Sequence, residues 1–312
     1  MKAKVPRIAV LGSINMDLVA NCADLPKPGQ TVSASGFAEI PGGKGANQAV
    51  AACRAGADVA MVGRLGDDGF ADRLRFNLTG NEVDCRHVAT TNSTASGVAM
   101  IAVAGSGENQ IIVVPGANGL ITPDDVGEAA ETIRQADVLL LQLEIPTDTV
   151  LAGIEVAKAA GTRVILDPAP VVTPLPDALL DVDLLCPNTS EAAELIGQPI
   201  ETAEDIEAAA REFHRRGAKA VAITLGETGT AIYDGQRFEV VSSIPIDAVD
   251  TTAAGDAFAG ALAVQWAENS DLFAAVRFGN AAGALAATRH GAQPSLPNRP
   301  QVEEMIRVKN DI

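Results

Sequence analysis

The sequence predicts an α/β protein: a three-layer α/β/α core on a mainly parallel sheet, with a small β-sheet lid. Three observations predict it. Apolar β-type runs alternate with helical patterns along most of the 312 residues. Several of those strands are apolar on both faces, as in a parallel sheet covered by helices on each side. Two stretches break the rhythm with alternating strands, Pro and Gly turns and no helix.

In chain order, the strand "IAVLG" comes first, then the helix "GANQAVAACRAGA", the strand "VAMVGRLG" and the helix "GFADRLRFNL". The alternation resumes at "ADVLLLQLE", with a helix beginning near "PTDTVLAGIEVAKAAG", followed by "RVILDPA" and "DLLCPN". A helix over Ala203–Arg216 precedes the strand "AVAITLG". The irregular stretches, "MDLVANCADLPKPGQTVSASGFAEIPGG" and "TASGVAMIAVAGSGENQIIVVPGAN", are expected to form one accessory sheet, inserted at about 16–41 and 94–118 in a single domain over 1–312. So inserted, that sheet would sit over the carboxyl ends of the core strands, where open α/β sheets bind ligands.

Composition narrows the class. With 47% apolar residues the chain can bury a large core, and no apolar run approaches the eighteen or so residues of a membrane span. "MKAKVPRIAV" leads straight into a strand, so a soluble, cytoplasmic protein is expected, without a membrane partner. Cys22, Cys53, Cys85 and Cys186 lack C-x-x-C spacing and read as reduced and buried. A net charge of −17 with no basic cluster argues against nucleic acid. Any phosphate needs a local device.

Two nucleotide signatures are missing: no G-x-x-x-x-G-K-[ST] occurs, and "GSINMD" lacks G-x-G-x-x-G spacing. A helix N-terminus remains, since its first amides are unpaired donors with partial positive charge. "DTTAAGDAFAGAL" fits. Gly255 would allow unusual angles and close approach, Ala253 and Ala254 keep side chains away, and the amides of 253–256 could converge on one oxygen cluster beside the Asp256 carboxylate. A proton acceptor beside a phosphate-charge stabiliser is what phosphoryl transfer to a hydroxyl needs. The plainer reading is an Asp that favours the helix dipole. In "PGGKGANQAVAACRAG", Gly42, Gly43 and Gly45 bracket Lys44 before a helix, with Asn47 in its first turn; a tight strand-to-helix turn is the alternative. "GSINMDLV" puts Asn15 and Asp17 after the first strand, as sugar-hydroxyl partners or as an Asx turn.

Together these segments resemble the ribokinase family of sugar kinases over nearly the whole chain. "GGKGANQA" and "DTTAAGDAFAGAL" carry the resemblance, with "CPNTSEAAEL", "AITLGETG" and "TRHGAQPSLP" in the family's order. The resemblance implies a ribokinase-like fold and ATP-dependent phosphorylation of D-ribose at O5. Asn15, Asp17, Gly42, Gly43, Asn47 and Glu144 would hold the sugar, with Lys44 a secondary site, and Asp256 would take the proton. The amides of Ala253, Ala254, Gly255 and Asp256 would form the anion hole. Asn188 and Glu191 would act on phosphate and the water shell of Mg2+; Thr224, Gly226, Glu227 and Gly229 would line ATP, with Asn280 near the adenine. K+ would bind at Asp250, Thr252 and Ser295 and at the carbonyls of Ala286, Arg289 and Gly291. The lid would pair two subunits as a homodimer, consistent with the apolar face or edge that its alternating strands would expose.

Other kinases of this family, for deoxyribose or a ketohexose, are the alternative. A nucleoside kinase would need an aromatic sandwich, but aromatics make up 3% of the chain. A non-catalytic sugar-binding protein would have no need of Asp256. His87, His214 and His290 lack metal-ligand spacing and read as surface or helix-end residues, and Phe258 and Trp266 as core.

Overall fold

The computed structural model describes residues 4–310. From the amino terminus, β1 (Arg7–Leu11) leads into β2 (Asn15–Cys22) and β3 (Ala34–Gly42). Next come α1 (Lys44–Arg54), β4 (Asp58–Leu65), α2 (Gly69–Gly80) and β5 (Asp84–Thr90), then the hairpin β6 (Gly97–Ala104) and β7 (Asn109–Val114). The short helices α3 (Pro123–Glu128) and α4 (Ala130–Gln135) precede β8 (Val138–Leu141), α5 (Thr147–Ala160), β9 (Arg163–Leu166) and the two-residue β10 (Leu184–Leu185). α6 (Thr189–Ile196) and α7 (Ala203–Arg216) come before β11 (Val221–Thr224), β12 (Gly229–Tyr233) and β13 (Phe238–Ser242). The helices α8 (Ala254–Asn269), α9 (Leu272–Ala287) and α10 (Arg299–Asn310) follow.

Nine strands form the main sheet in the order β13-β12-β11-β10-β9-β8-β1-β4-β5, parallel except that β12 runs against both its neighbours. Side chains alternate across it. Ile8, Val10, Leu140 and Ile165 pack on one face with α1, α8 and α9, while Ala9, Leu11, Leu139 and Leu166 pack on the other with the layer that contains α5 and α7. Both faces are buried, so β1 and β8 read as unbroken apolar runs. This is the three-layer α/β/α architecture the sequence predicts. The alternation did not reveal the edge strand β5 or the antiparallel hairpin β12–β13.

The small sheet has the order β3-β2-β6-β7, with β2 and β6 parallel and the outer pairs antiparallel. Its first strand begins just beyond the carboxyl end of β1, so the sheet stands above that end of the core. β7 has no buried residue, and a short 3-10 turn over Gly116–Leu120 closes the stretch that the sequence reads as free of helix. Phe258 and Trp266 are buried. Cys22 and Cys186 are buried too, but Cys53 and Cys85 are only half-buried, at the end of α1 and on the exposed edge strand β5. All four thiols are free. His214 lies in the last turn of α7, and His87 meets the Thr132 hydroxyl at 2.8 Å.

The position of the site depends on how closely α1 and α8 approach. A Cβ on Gly260 of α8 would lie 2.7 Å from the Ala51 Cβ and 2.8 Å from the Gln48 carbonyl oxygen, so only glycine lets the two backbones meet. Overpacking there forces the helices apart. Gly260→Ala is therefore expected to cost about 1–3 kcal/mol, read as a lower denaturant midpoint at unchanged slope. An unchanged midpoint would mean that the helix contact is soft.

Candidate active site

The side chains that matter sit at the carboxyl ends of parallel strands. Asn15 and Asp17 follow β1, Glu144 follows β8, Asp167 follows β9, Asn188 follows β10, and Thr224 ends β11. This is the crevice where open α/β sheets take ligands. The amino termini of α1 and α8 reach the same place.

At the start of α1, Gly43 holds φ at 87°, and a Cβ on it would meet the Asn15 amide at 2.7 Å. Gly42 faces Asp17: a Cβ there would fall 2.1 Å from the Asp17 carboxylate, so the bare backbone makes room for that carboxyl group. Glu144 accepts hydrogen bonds from the Ser13 hydroxyl and from the Lys44 amide. Asn118 donates to Asn15 Oδ1 at 2.7 Å, which leaves the Asn15 NH2 as the group free to act on a ligand. Asn47 donates to Asp256 Oδ2 at 2.9 Å and Gln48 to Asp256 Oδ1 at 3.2 Å. Lys44 turns into the site: its Nζ lies 4.0 Å from Asp167 Oδ2 and lines a chamber of about 190 Å³ with Asn188, Glu191, Gly255 and Asp256.

The start of α8 differs in detail from the sequence expectation. Ala253, not Gly255, takes the left-handed conformation, with φ 59°. Gly255 has ordinary helical geometry, and a Cβ on it would meet nothing within 4 Å because it faces the open chamber. The Ala254 amide is spent on the Thr251 carbonyl at 3.1 Å. The amides of Gly255 and Asp256, at the second and third helical positions, are left to face a ligand.

Beyond the chamber lies a cleft of about 750 Å³, lined by Gly226, Glu227, Gly229, Ile244, Ala284 and other residues. Thr224, Thr251, Gly255 and Phe258 border both spaces. Asn280 stands in the cleft wall, but its side chain is committed inward: it accepts from Thr230 Oγ1 at 2.6 Å and donates to the Val241 carbonyl at 2.9 Å. Asn188 and Glu191 cap α6 reciprocally, each accepting from the other's amide at 2.8 Å. Asp250 accepts from the amide and hydroxyl of Thr252 and, through its other oxygen, from the Gly291 amide at 2.9 Å. Residues 250–252 and 286–295 are thereby held together. The Ala286 carbonyl accepts from the Arg289 amide and the Ser295 hydroxyl donates to the Ala292 carbonyl.

Four carboxylates act on Lys44, and a fifth, Asp17, is coupled to two of them. Burial, then Glu144 and Asp256, push Asp17 up to about 7. Burial also raises Asp167 to about 7, with Lys44 opposing and Glu191, Asp256 and Glu144 adding to the rise. Asp256 is raised by burial, while Lys44, Asn47 and Gln48 pull it back. Burial alone would lower Lys44, but Asp167, Asp256, Glu144 and Glu191 together hold it above its ordinary value.

Sequence reasoning missed Asp167, Gln48 and Ser13. Asp167 had a signal, a carboxylate directly after a buried strand in "RVILDPA". The amide and the hydroxyl had none, because their partners lie on other elements.

Residues 5–299 match the model of the pfkB family carbohydrate kinases. The chain is 40% identical over 300 residues to a ribokinase of Bacillus subtilis, covering 96% of this chain and 99% of that one. It is also 36% identical over 300 residues to a deoxyribokinase of Salmonella typhi, covering 96% and 98%. The structure of Arabidopsis thaliana ribokinase complexed with ribose and ATP superposes with a TM-score of 0.89 at 37% identity, covering 97% of this chain and 99% of that one. With its fold and sequence in agreement along almost its full length, the chain belongs to the pfkB family of carbohydrate kinases.

Proposed function

We propose that the chain transfers the γ-phosphoryl group of ATP to O5 of D-ribose, giving ribose 5-phosphate and ADP. The observation that carries this reading is the buried Asp256 carboxylate. It has donors on one side, and on the other it faces a chamber that opens into a nucleotide-sized cleft. Full-length similarity to ribokinases, one of them solved with ribose and ATP, supports the substrates.

On this reading Asn15, Asp17, Asn47 and Glu144 hold the sugar hydroxyls against the backbone of Gly42 and Gly43. Asp256 takes the proton of the primary hydroxyl as that oxygen bonds to the γ-phosphorus, and the bond to the ADP oxygen breaks. The amides of Gly255 and Asp256, with Ala253 and Ala254 shaping the turn, meet the charge on the migrating group, and Lys44 adds a cation to the chamber. Thr224, Gly226, Glu227 and Gly229 line the nucleotide, with Asn280 supporting the wall near the base. Asn188, Glu191 and Asp167 are the oxygen donors that fit Mg2+, which supplies charge neutralisation on the phosphates. Asp250, Thr252, Ser295 and the carbonyls of Ala286, Arg289 and Gly291 form an oxygen-rich set suited to K+, since each oxygen already in use keeps a second lone pair.

We further infer that the small sheet is a lid and pairs two subunits. On β7, Ile111, Ile112, Val113 and Val114 are exposed on an unpaired edge. Sedimentation at twice the mass of one chain is expected, and a monomer at micromolar concentration would remove the pairing. Among the described residues no helix is long and apolar enough to cross a membrane, and work in the cytoplasm is part of this proposal.

An ADP-release assay with ribose, deoxyribose and fructose tests the substrate. The highest kcat/KM is expected with ribose; the near-equal similarity to a deoxyribokinase makes deoxyribose the second reading. Asp256→Asn should lower kcat by ~10²- to 10⁴-fold with little change in the ATP Kd. Turnover within threefold or so of wild type would remove Asp256 as the base.

Asp17 gives a prediction with opposite signs for stability and binding. Its folded value, about 7, lies above the ordinary carboxylate value, so its contribution to stability is lost as pH rises through 7. At pH 8, Asp17→Asn should therefore raise the Tm of the unliganded protein while raising the ribose KM by roughly tenfold. A lower Tm with unchanged KM would place Asp17 in the scaffold instead.

K+ should raise kcat relative to Na+ or a bulky organic cation at fixed ionic strength, because it would fix the turn that precedes the anion hole. Equal rates in all three would dismiss the cation site.

A further inference from the structure

Two fully buried glutamines join the carboxylates of the site. Gln48 Nε2 donates to Asp167 Oδ2 at 2.9 Å and to Asp256 Oδ1 at 3.2 Å, using both of its hydrogens. Its Oε1 accepts from Gln142 Nε2 at 2.5 Å. Partners of this kind fix an amide's orientation. Turned over, Gln48 would aim its carbonyl oxygen at two carboxylates and its NH2 group at the NH2 of Gln142. Gln142 follows β8 directly, and its side chain crosses Gly12, where a Cβ would lie 2.0 Å from Gln142 Oε1. That Oε1 has no partner among the described residues, although it is buried. An orphaned acceptor destabilises a fold, so packing alone does not account for a glutamine here.

We propose that Gln142 and Gln48 form a positioning relay that fixes the Asp256 and Asp167 carboxylates relative to each other. One carboxylate is then aimed at the sugar hydroxyl and the other held beside Lys44. The inference rests on Asp256 being the base. Gln142 stops the Gln48 amide from flipping, and Gln48 shares its two hydrogens between the two acids. With Asn47 on the other Asp256 oxygen, the carboxylate plane is set before substrate arrives. The Gln48 donor also stabilises the ionised form of Asp256, which the proton-accepting step requires.

The test compares Gln48→Met, Gln142→Met and the double variant. Each single change should lower kcat about tenfold or more at pH 7, with sugar and ATP KM values within about threefold, because misaimed chemistry costs rate before binding. In Gln48→Met the acid limb of kcat/KM against pH should move to higher pH, since loss of this donor raises Asp256, and activity should partly return above that limb. The double variant should be no slower than the slower single one. A uniform loss at every pH with an unmoved limb, or two effects that simply multiply, would overturn the relay.

If Gln48→Met does not fold, Gln142→Met carries the test, because it leaves every contact to the carboxylates chemically available. Asp256→Asn run in parallel separates the two readings. Full turnover by that variant would remove the base and the relay with it, whereas a dead Asp256→Asn beside an unshifted Gln48→Met limb removes the relay alone. An infrared pH titration of Asp256 in the unliganded protein, its band assigned by difference against Asp256→Asn, reads the same shift without any sugar. Coincident wild-type and Gln48→Met titrations would also overturn it.

Discussion

A carboxylate buried in the first turn of α8 constrains much of the molecule. Taking an ionised Asp256 out of water costs several kcal/mol unless donors replace the lost hydration, and α1 supplies two of them, Asn47 and Gln48. Those side chains reach only if the helices nearly touch. Hence the facing positions are small: Ala51 and Ala52 on α1 meet Gly260 on α8 with no space for a methyl group. The contact between the helices gives up large apolar side chains for proximity, and Phe258 and Leu262 elsewhere on α8, with Phe273 and Phe278 on α9, fill the core around it.

The same closeness sets the charge balance. Glu144, Asp167, Glu191 and Asp256 converge on Lys44, with Asp17 beside Glu144 and Asp256, in a chain whose net charge is −17. Such a chamber repels a nucleotide unless something offsets the carboxylates. Three devices do so: Lys44 itself, the partial positive charge at the start of α8, and the upward shift that leaves Asp17 and Asp167 partly protonated near neutrality. Asp17 and Asp167 thus repel phosphate less than two full charges would.

Much of the fold was legible because periodicity is local. The both-face apolar strands announced the parallel sheet, and the helix expected roughly over Ala203–Arg216 is α7, which Thr202 caps at its start and Gly217 ends. Edge elements were not legible. β5 carries Asp84, Arg86 and His87 among its seven residues, and β12 with β13 follows a turn that breaks the α/β rhythm. In the site, glycines and the small-residue run were visible because they act through the backbone of their own segment. Gln48, Gln142 and Asp167 act across separations of 94 to 208 residues, and no local pattern encodes which amide faces which acid. Gly255 was misjudged for a related reason: glycine can mean either an unusual angle or an empty side, and only the three-dimensional surroundings distinguish them.

The unusual angle falls instead on Ala253, and that placement has a physical consequence. A left-handed alanine costs roughly 1–2 kcal/mol, so the surrounding structure must over-determine it. Asp250 does so from one side. Burial disfavours its charge, but hydrogen bonds from Thr252 and Gly291 hold its carboxyl below the usual range and pin the turn to the loop after α9. From the other side the Ala254 amide closes on the Thr251 carbonyl. Hydrogen bonds within the chain thus set most of the shape of the turn, leaving the proposed K+ to stiffen it, and the amides of Gly255 and Asp256 face the chamber. If those amides receive the migrating phosphoryl group, their orientation has been set during folding rather than during the reaction, and a reorganisation cost at the transition state is avoided.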